Sequence, residues 1–108
     1  MRSEVPTRRV LVADGDEIIA FIASHILSRY DFAVVTTTNA AALARGPNGY
    51  DAVVVSAEIA SQVPGALDGA RTILIGDAVD GLKPFARLRK PLELDRLVAA
   101  VAACANRR

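Results

Sequence analysis

The chain has almost no sulfur chemistry, few aromatic rings and no excess of either charge. A single cysteine, Cys104, in 108 residues excludes an internal disulfide. With no tryptophan, two tyrosines and three phenylalanines, a sequence that is 52% hydrophobic has to build an aliphatic core. Thirteen basic against twelve acidic residues leave a formal charge of +1, so no global field recruits nucleic acid or an anionic membrane. No apolar run approaches the roughly 20 residues of a membrane span, and the N-terminus, MRSEVPTRR, has no apolar stretch of the kind a secretion signal needs. The expectation is one cytoplasmic domain, with 1–8 as a tail and 9–106 as the folded unit, because a chain this short holds one core.

What the sequence does contain is a regular change of hydrophobic period. In YDAVVVSAEI, Tyr50 to Ile59, the run Ala52 to Val55 is β-branched or small and apolar on both faces, as in the middle of a parallel sheet covered by helices. Such a strand delivers Ser56 to the carboxyl edge of the sheet, where open α/β folds place their chemistry. Arg9 to Ala13 reads as strand one and ends in the acidic cluster Asp14-Gly15-Asp16-Glu17. Ile19, Ile22, Ile26 and Tyr30 then mark one face of a helix, with Asp16 placed to cap it.

Phe32 to Thr37 is strand two, Asn39 caps a short helix Ala40 to Arg45, and Gly46 to Gly49 forms a stop and a turn. After the central strand, Ala57 to Gly69 is broken by Pro64, Gly65 and Gly69 and supports only a short, irregular helix. Thr72 to Ile75 is strand four, and Gly76 to Pro84 has no helical periodicity. Phe85 to Arg89 is a weak fifth strand that Lys90-Pro91 ends. Leu94, Leu97, Val98 and Val101 share a face of the last helix, with Glu93 and Asp95 in its first turn.

Strands alternating with helices through short loops indicate a doubly wound, five-stranded parallel sheet of the flavodoxin type, with the helix between strands four and five short or absent. Its carboxyl edge would gather Asp14, Asp16, Ser56, Gly76, Asp77 and Lys90.

In order, VLVADGDE, YDAVVVSAEI, TILIGDA and LRKPLELDRLV resemble the receiver (CheY-like) domain of bacterial two-component response regulators, over Arg9 to Ala103. The short stretch before Lys90-Pro91 further resembles alphaproteobacterial single-domain receivers with a reduced fourth helix. The resemblance implies acidic residues after strand one that help bind Mg²⁺, an aspartate ending strand three that accepts a phosphoryl group, a hydroxyl after strand four, and a lysine in a Lys-Pro pair. Asp14 and Lys90 keep their places. Gly15 falls where the second acidic residue lies, with Asp16 and Glu17 following in a DDDE-like variant. Ser56 replaces the acceptor, Ile75, Gly76 or Asp77 stands where the hydroxyl belongs, and Arg87 occupies the place of an aromatic switch residue.

These departures remove related parts of one chemistry. Phosphoryl transfer relies on positioning and on a cation that neutralises the equatorial oxygens, and Mg²⁺ wants nearly octahedral oxygen ligands including one or two carboxylates. The expectation is therefore no metal or other cofactor and no aspartyl phosphorylation. Ser56 as an activated nucleophile would need a base, yet the single histidine, His25, lies in the first helix, and VVVSAEI is not a nucleophile elbow. Asp14 and Asp16 stand open between a cap with a solvated charge and a residual cation site. Lys90 is expected to pair with Asp14, an attraction of about 3 kcal/mol at ~5 Å and an effective dielectric near 20 before desolvation.

Cys104 reads as a packed small residue, and Arg87, Arg89 and Lys83 as a solvated basic rim. The expected function is a degenerate, non-enzymatic receiver that contacts a histidine kinase, a phosphotransfer protein or another regulator. A nucleotide or other anion-binding module, and an unorthodox phosphoacceptor using Asp14, Asp16 or Asp77, are the alternatives.

Overall fold

Residues 8–44 and 49–106 are described in a computed structural model of the chain. The apolar runs become strands β1 (Arg8–Ala13), β2 (Phe32–Thr37), β3 (Ala52–Ser56), β4 (Thr72–Ile75) and β5 (Ala86–Leu88). They form one parallel sheet in the order β2-β1-β3-β4-β5. β3 and β4 are buried at every residue, as strands covered on both faces must be. β2 and β5 are the edges, and both show exposed positions. The sequence limits hold to within a residue or two: β1 starts at Arg8, which pairs with Phe32, and β5 is confined to three residues.

The pleat divides the core in two. Val10, Val12, Ala52, Val54, Ile73 and Ile75 face α1 (Glu17–Ser28) and the last helix, α4 (Leu94–Ala105). Leu11, Ala13, Val53, Val55 and Leu74 face the other way, toward Leu43 of α2 (Ala40–Ala44) and Ile59 and Ala60 of α3 (Ala57–Ala60). The fold is thus the doubly wound α/β sheet expected from the sequence, and the stop and turn assigned to Gly46, Pro47 and Asn48 lies outside the described residues. In α4, Leu97 and Val101 are buried as expected, joined by Cys104 and Ala105, while Leu94 and Val98 pack at the margin.

The expected inward face of α1 is wrong by part of a turn. Ala20, Ala23 and Leu27 are buried, Ile19 and Ile26 are half-buried, and Ile22 and Tyr30 are 41% and 56% exposed. α1 carries apolar residues nearly all round, so periodicity could not single out a face. Packing selects the small alanines, which let the helix backbone approach the sheet closely. Asp16 does cap the helix, accepting hydrogen bonds from Ile18 N and Ile19 N. Tyr30 lies beyond the C-cap, Arg29, where Asp31 at φ 69° turns the chain into β2.

The segment after β3 is as irregular as its glycines and proline indicate: one turn of α3, then single 3₁₀ turns at Pro64–Ala66 and Gly69–Arg71. Between β4 and β5 no helix forms. Leu82, 8% exposed, and the half-buried Val79 cover part of the second core instead. A Cβ on Gly69 would run into the Lys83 carbonyl oxygen, so the glycine is what lets this loop sit against the 3₁₀ turn.

Candidate functional site

Asp14, Ser56 and Thr72 are the buried polar or charged residues among those described. Asp14 follows β1, where its backbone N–H donates to Thr37 O at 3.1 Å. Its carboxylate Oδ1 accepts from Asp16 N at 2.9 Å, while Oδ2 is buried with no hydrogen-bond partner. The Asp16 side chain is exposed and occupied: Oδ1 accepts from Ile18 N at 2.9 Å and Ile19 N at 3.4 Å. Gly15 is exposed, and a Cβ there would meet nothing within 4 Å.

Ser56 is the last residue of β3, 1% exposed, in β conformation at φ −73° and ψ 151°. That geometry makes it the N-cap of α3, and its Oγ accepts from Ile59 N at 3.3 Å. β1 and β3 are paired Ala13 to Val55, so Asp14 and Ser56 follow from adjacent strands one step beyond the last register pair. β4 ends at Ile75, which makes Gly76 the first residue after it. Gly76 has φ +110°, a conformation that favours glycine, and its N–H donates to Leu88 O at 2.8 Å. A side chain at this position would be strained whatever the space around it.

Across this edge Arg87 Nη1 donates to Gly76 O at 3.1 Å. Ser56, Gly76, Asp77, Arg87 and Lys90 line one cleft of about 590 Å³, joined by Arg89 and by Glu58. All six residues expected at the carboxyl edge of the sheet lie at or just after the strand ends there. Ser56, Gly76, Asp77 and Lys90 come together, whereas Asp14 and Asp16 are not among the residues lining the cleft.

The expected pair of Lys90 with Asp14 does not form. Among the described residues the ion pairs are Arg71 with Asp68 at 3.9 Å and Arg96 with Glu93 at 2.6 Å. Lys90 is exposed and keeps its hydration, and drawing it onto a carboxylate that is 2% exposed would cost desolvation that one contact offsets poorly. Glu58 was not anticipated; its signal was its place two residues after Ser56, in the first turn of α3.

No family model and no curated protein matches the sequence. Solved structures do match it in fold. The receiver domain of the Francisella response regulator 1452 is 22% identical, with a TM-score of 0.75 over 93% of this chain and 98% of that one. The non-phosphorylated HemR receiver domain from Leptospira biflexa is 13% identical, with a TM-score of 0.74 over 94% and 96%. A response regulator receiver protein from Sinorhizobium medicae is 21% identical, with a TM-score of 0.70 over 94% and 96%. With the strand order β2-β1-β3-β4-β5, helices on both faces and near-complete coverage in both directions, the chain has the fold of response regulator receiver domains.

Proposed function

We propose that this domain works in two-component or phosphorelay signalling as a degenerate receiver, by protein contacts and without aspartyl phosphorylation or other catalysis. The observation that carries the reading is Ser56 at the end of β3. The hydroxyl there is neutral and is engaged in capping α3, and a serine would form a phosphate ester in place of an acyl phosphate.

The surroundings support the same reading. Mg²⁺ in this fold needs several oxygen ligands, carboxylates among them. The chain offers the orphaned Oδ2 of Asp14, while Asp16 Oδ1 is held by the first turn of α1 and Gly15 offers no side chain. Among the described residues no three His, Cys, Asp or Glu side chains converge. These donors do not fit an octahedral Mg²⁺ site, and Ser56 stands as the degenerate acceptor position beside a residual acidic pocket, Asp14 and Asp16.

Contact with a protein partner is supported by α1, which exposes Ile18 at 69% and Phe21 at 70% beside Ile22, a larger apolar stripe than a lone helix residue leaves in water. The partner class is a histidine kinase, a phosphotransfer protein or another regulator. Incubation with acetyl phosphate and Mg²⁺ followed by intact-mass measurement tests the reading: an unchanged mass is expected, and a Mg²⁺-dependent phosphoryl adduct on an aspartate would overturn it.

A further inference from the structure

We propose that the outward face of α1 pairs with the same face of a second copy of this chain, the two helices packing antiparallel about a two-fold axis. The inference rests on the reading of α1 as a protein contact surface and names its partner. Ile18, Phe21, Ile22, His25 and Arg29 follow i, i+3, i+4, i+7, i+11 and are all exposed, on the side of the helix opposite the buried Ala20, Ala23 and Leu27. α1 is docked on the sheet through the alanine side, so this second stripe is left in water. Phe21 and His25, one turn apart, lie with nearly parallel rings, 6.2 Å between centroids and 14° between planes. Rings set in place before contact lower the ordering cost of binding.

The charges favour a second copy as the occupant. The stripe is bounded at its N-terminal end by Asp16 and Glu17 and at its C-terminal end by His25 and Arg29, all four exposed. Glu17 and Arg29 stand ~18 Å apart along the helix axis, and among the described residues neither is in an ion pair within 4.0 Å. A two-fold axis at the level of Ala23 sets the acidic end of each helix against the basic end of the other and opposes the helix dipoles. Ile18, Phe21 and Ile22 of both copies then meet in the middle. The face is complementary to itself, as an isologous interface must be, whereas a parallel arrangement would set like charges at each end. A stripe ~18 Å long on a helix ~10 Å across is smaller than the roughly 800 Å² per partner of a standard interface, so the dimer is expected to be weak and reversible.

Sedimentation equilibrium of the whole chain at low salt from ~10 µM to ~1 mM, the range of weak association, tests this. A reversible monomer–dimer equilibrium is expected. Phe21→Ser should weaken it about ten-fold or more, as loss of a central aromatic does. Glu17→Arg and Arg29→Glu should each weaken it several-fold by putting like charges at the facing ends. The double variant Glu17→Arg/Arg29→Glu exchanges the two ends and should regain most of what either single variant loses. All three positions are exposed, so the variants fold, which circular dichroism checks. A monomer throughout the range would overturn the proposal and leave the face to a kinase or phosphotransfer protein. So would dimerisation undiminished by Phe21→Ser, or a double variant no better than the single ones. The acetyl phosphate test reads mass and this one reads association, so failure of the degenerate-receiver reading and failure of self-pairing are told apart.

Discussion

Ser56 has a capping role that a carboxylate would share only in part. Its Oγ caps α3 through a long hydrogen bond of 3.3 Å, so Ser56→Ala is expected to cost about 0.5–1 kcal/mol in urea unfolding, the low end for a lost N-cap. Aspartate also caps helices, but Ser56→Asp would bury a charge one register step from Asp14, whose Oδ2 already lacks a partner. Two carboxylates ~5 Å apart repel by about 3 kcal/mol at an effective dielectric of 20. A loss of roughly 1–3 kcal/mol is therefore expected, with little or no labelling by acetyl phosphate. Adding Gly15→Asp, at a position where a Cβ meets nothing within 4 Å, supplies the missing carboxylate. In the double variant, stability should become Mg²⁺-dependent. The unmodified protein should keep its melting temperature in millimolar Mg²⁺ or chelator, and a stabilisation above about 1 kcal/mol would contradict the assignment of Gly15 and Ser56 to the metal and acceptor positions.

At the scale of elements, α1 and the loop after β4 depart most from simple amphipathic design. The buried stripe of α1 is Ala20, Ala23 and Leu27, so Leu27→Ala should cost about 2–5 kcal/mol. Ile22→Ala, on the exposed side, should stay within about 1 kcal/mol. Chemical denaturation of the two variants distinguishes this face from the one that periodicity indicates; a larger loss at Ile22 would reverse it. For the loop, Gly69→Ala places a methyl against the Lys83 backbone, where no flexible side chain can yield. The expected loss is about 1–3 kcal/mol, accompanied by release of Leu82 from the second core.

For the molecule as a whole, stability should be distributed unevenly. β3 lies at the centre of the sheet, buried at every residue, and its amides should exchange only on global unfolding. In the stretch from Gly76 to Pro84 the Gly76 N–H donates to Leu88 O and the Leu82 N–H to Val79 O, and there are two apolar anchors, so its other amides should exchange far faster. Hydrogen exchange resolved by residue checks this; protection across Gly76 to Pro84 equal to that of Val53 to Val55 would contradict it. The loop closes the sheet's second face where a helix would otherwise lie, and it borders the residues that lead into the basic cleft.

The parallel sheet, its strand limits to within a residue or two, the Asp16 cap and the missing helix between β4 and β5 were legible along the chain. Each follows from local chemistry: β-branched runs, a short polar side chain before an apolar run, and too few apolar residues to cover a helix face. The identities at Gly15, Ser56 and Gly76 were equally legible, since a residue's chemistry is carried by the sequence itself. Three things needed the tertiary structure. The inward face of α1 depended on how closely alanine lets a helix approach the sheet. The failure of Lys90 to meet Asp14 depended on the balance of hydration against a single contact in three dimensions. That Ser56 and Lys90 share an edge followed from the alternation of strands and helices, but the cleft that adds Arg87 and Arg89 to them depended on β3, β4 and β5 pairing side by side.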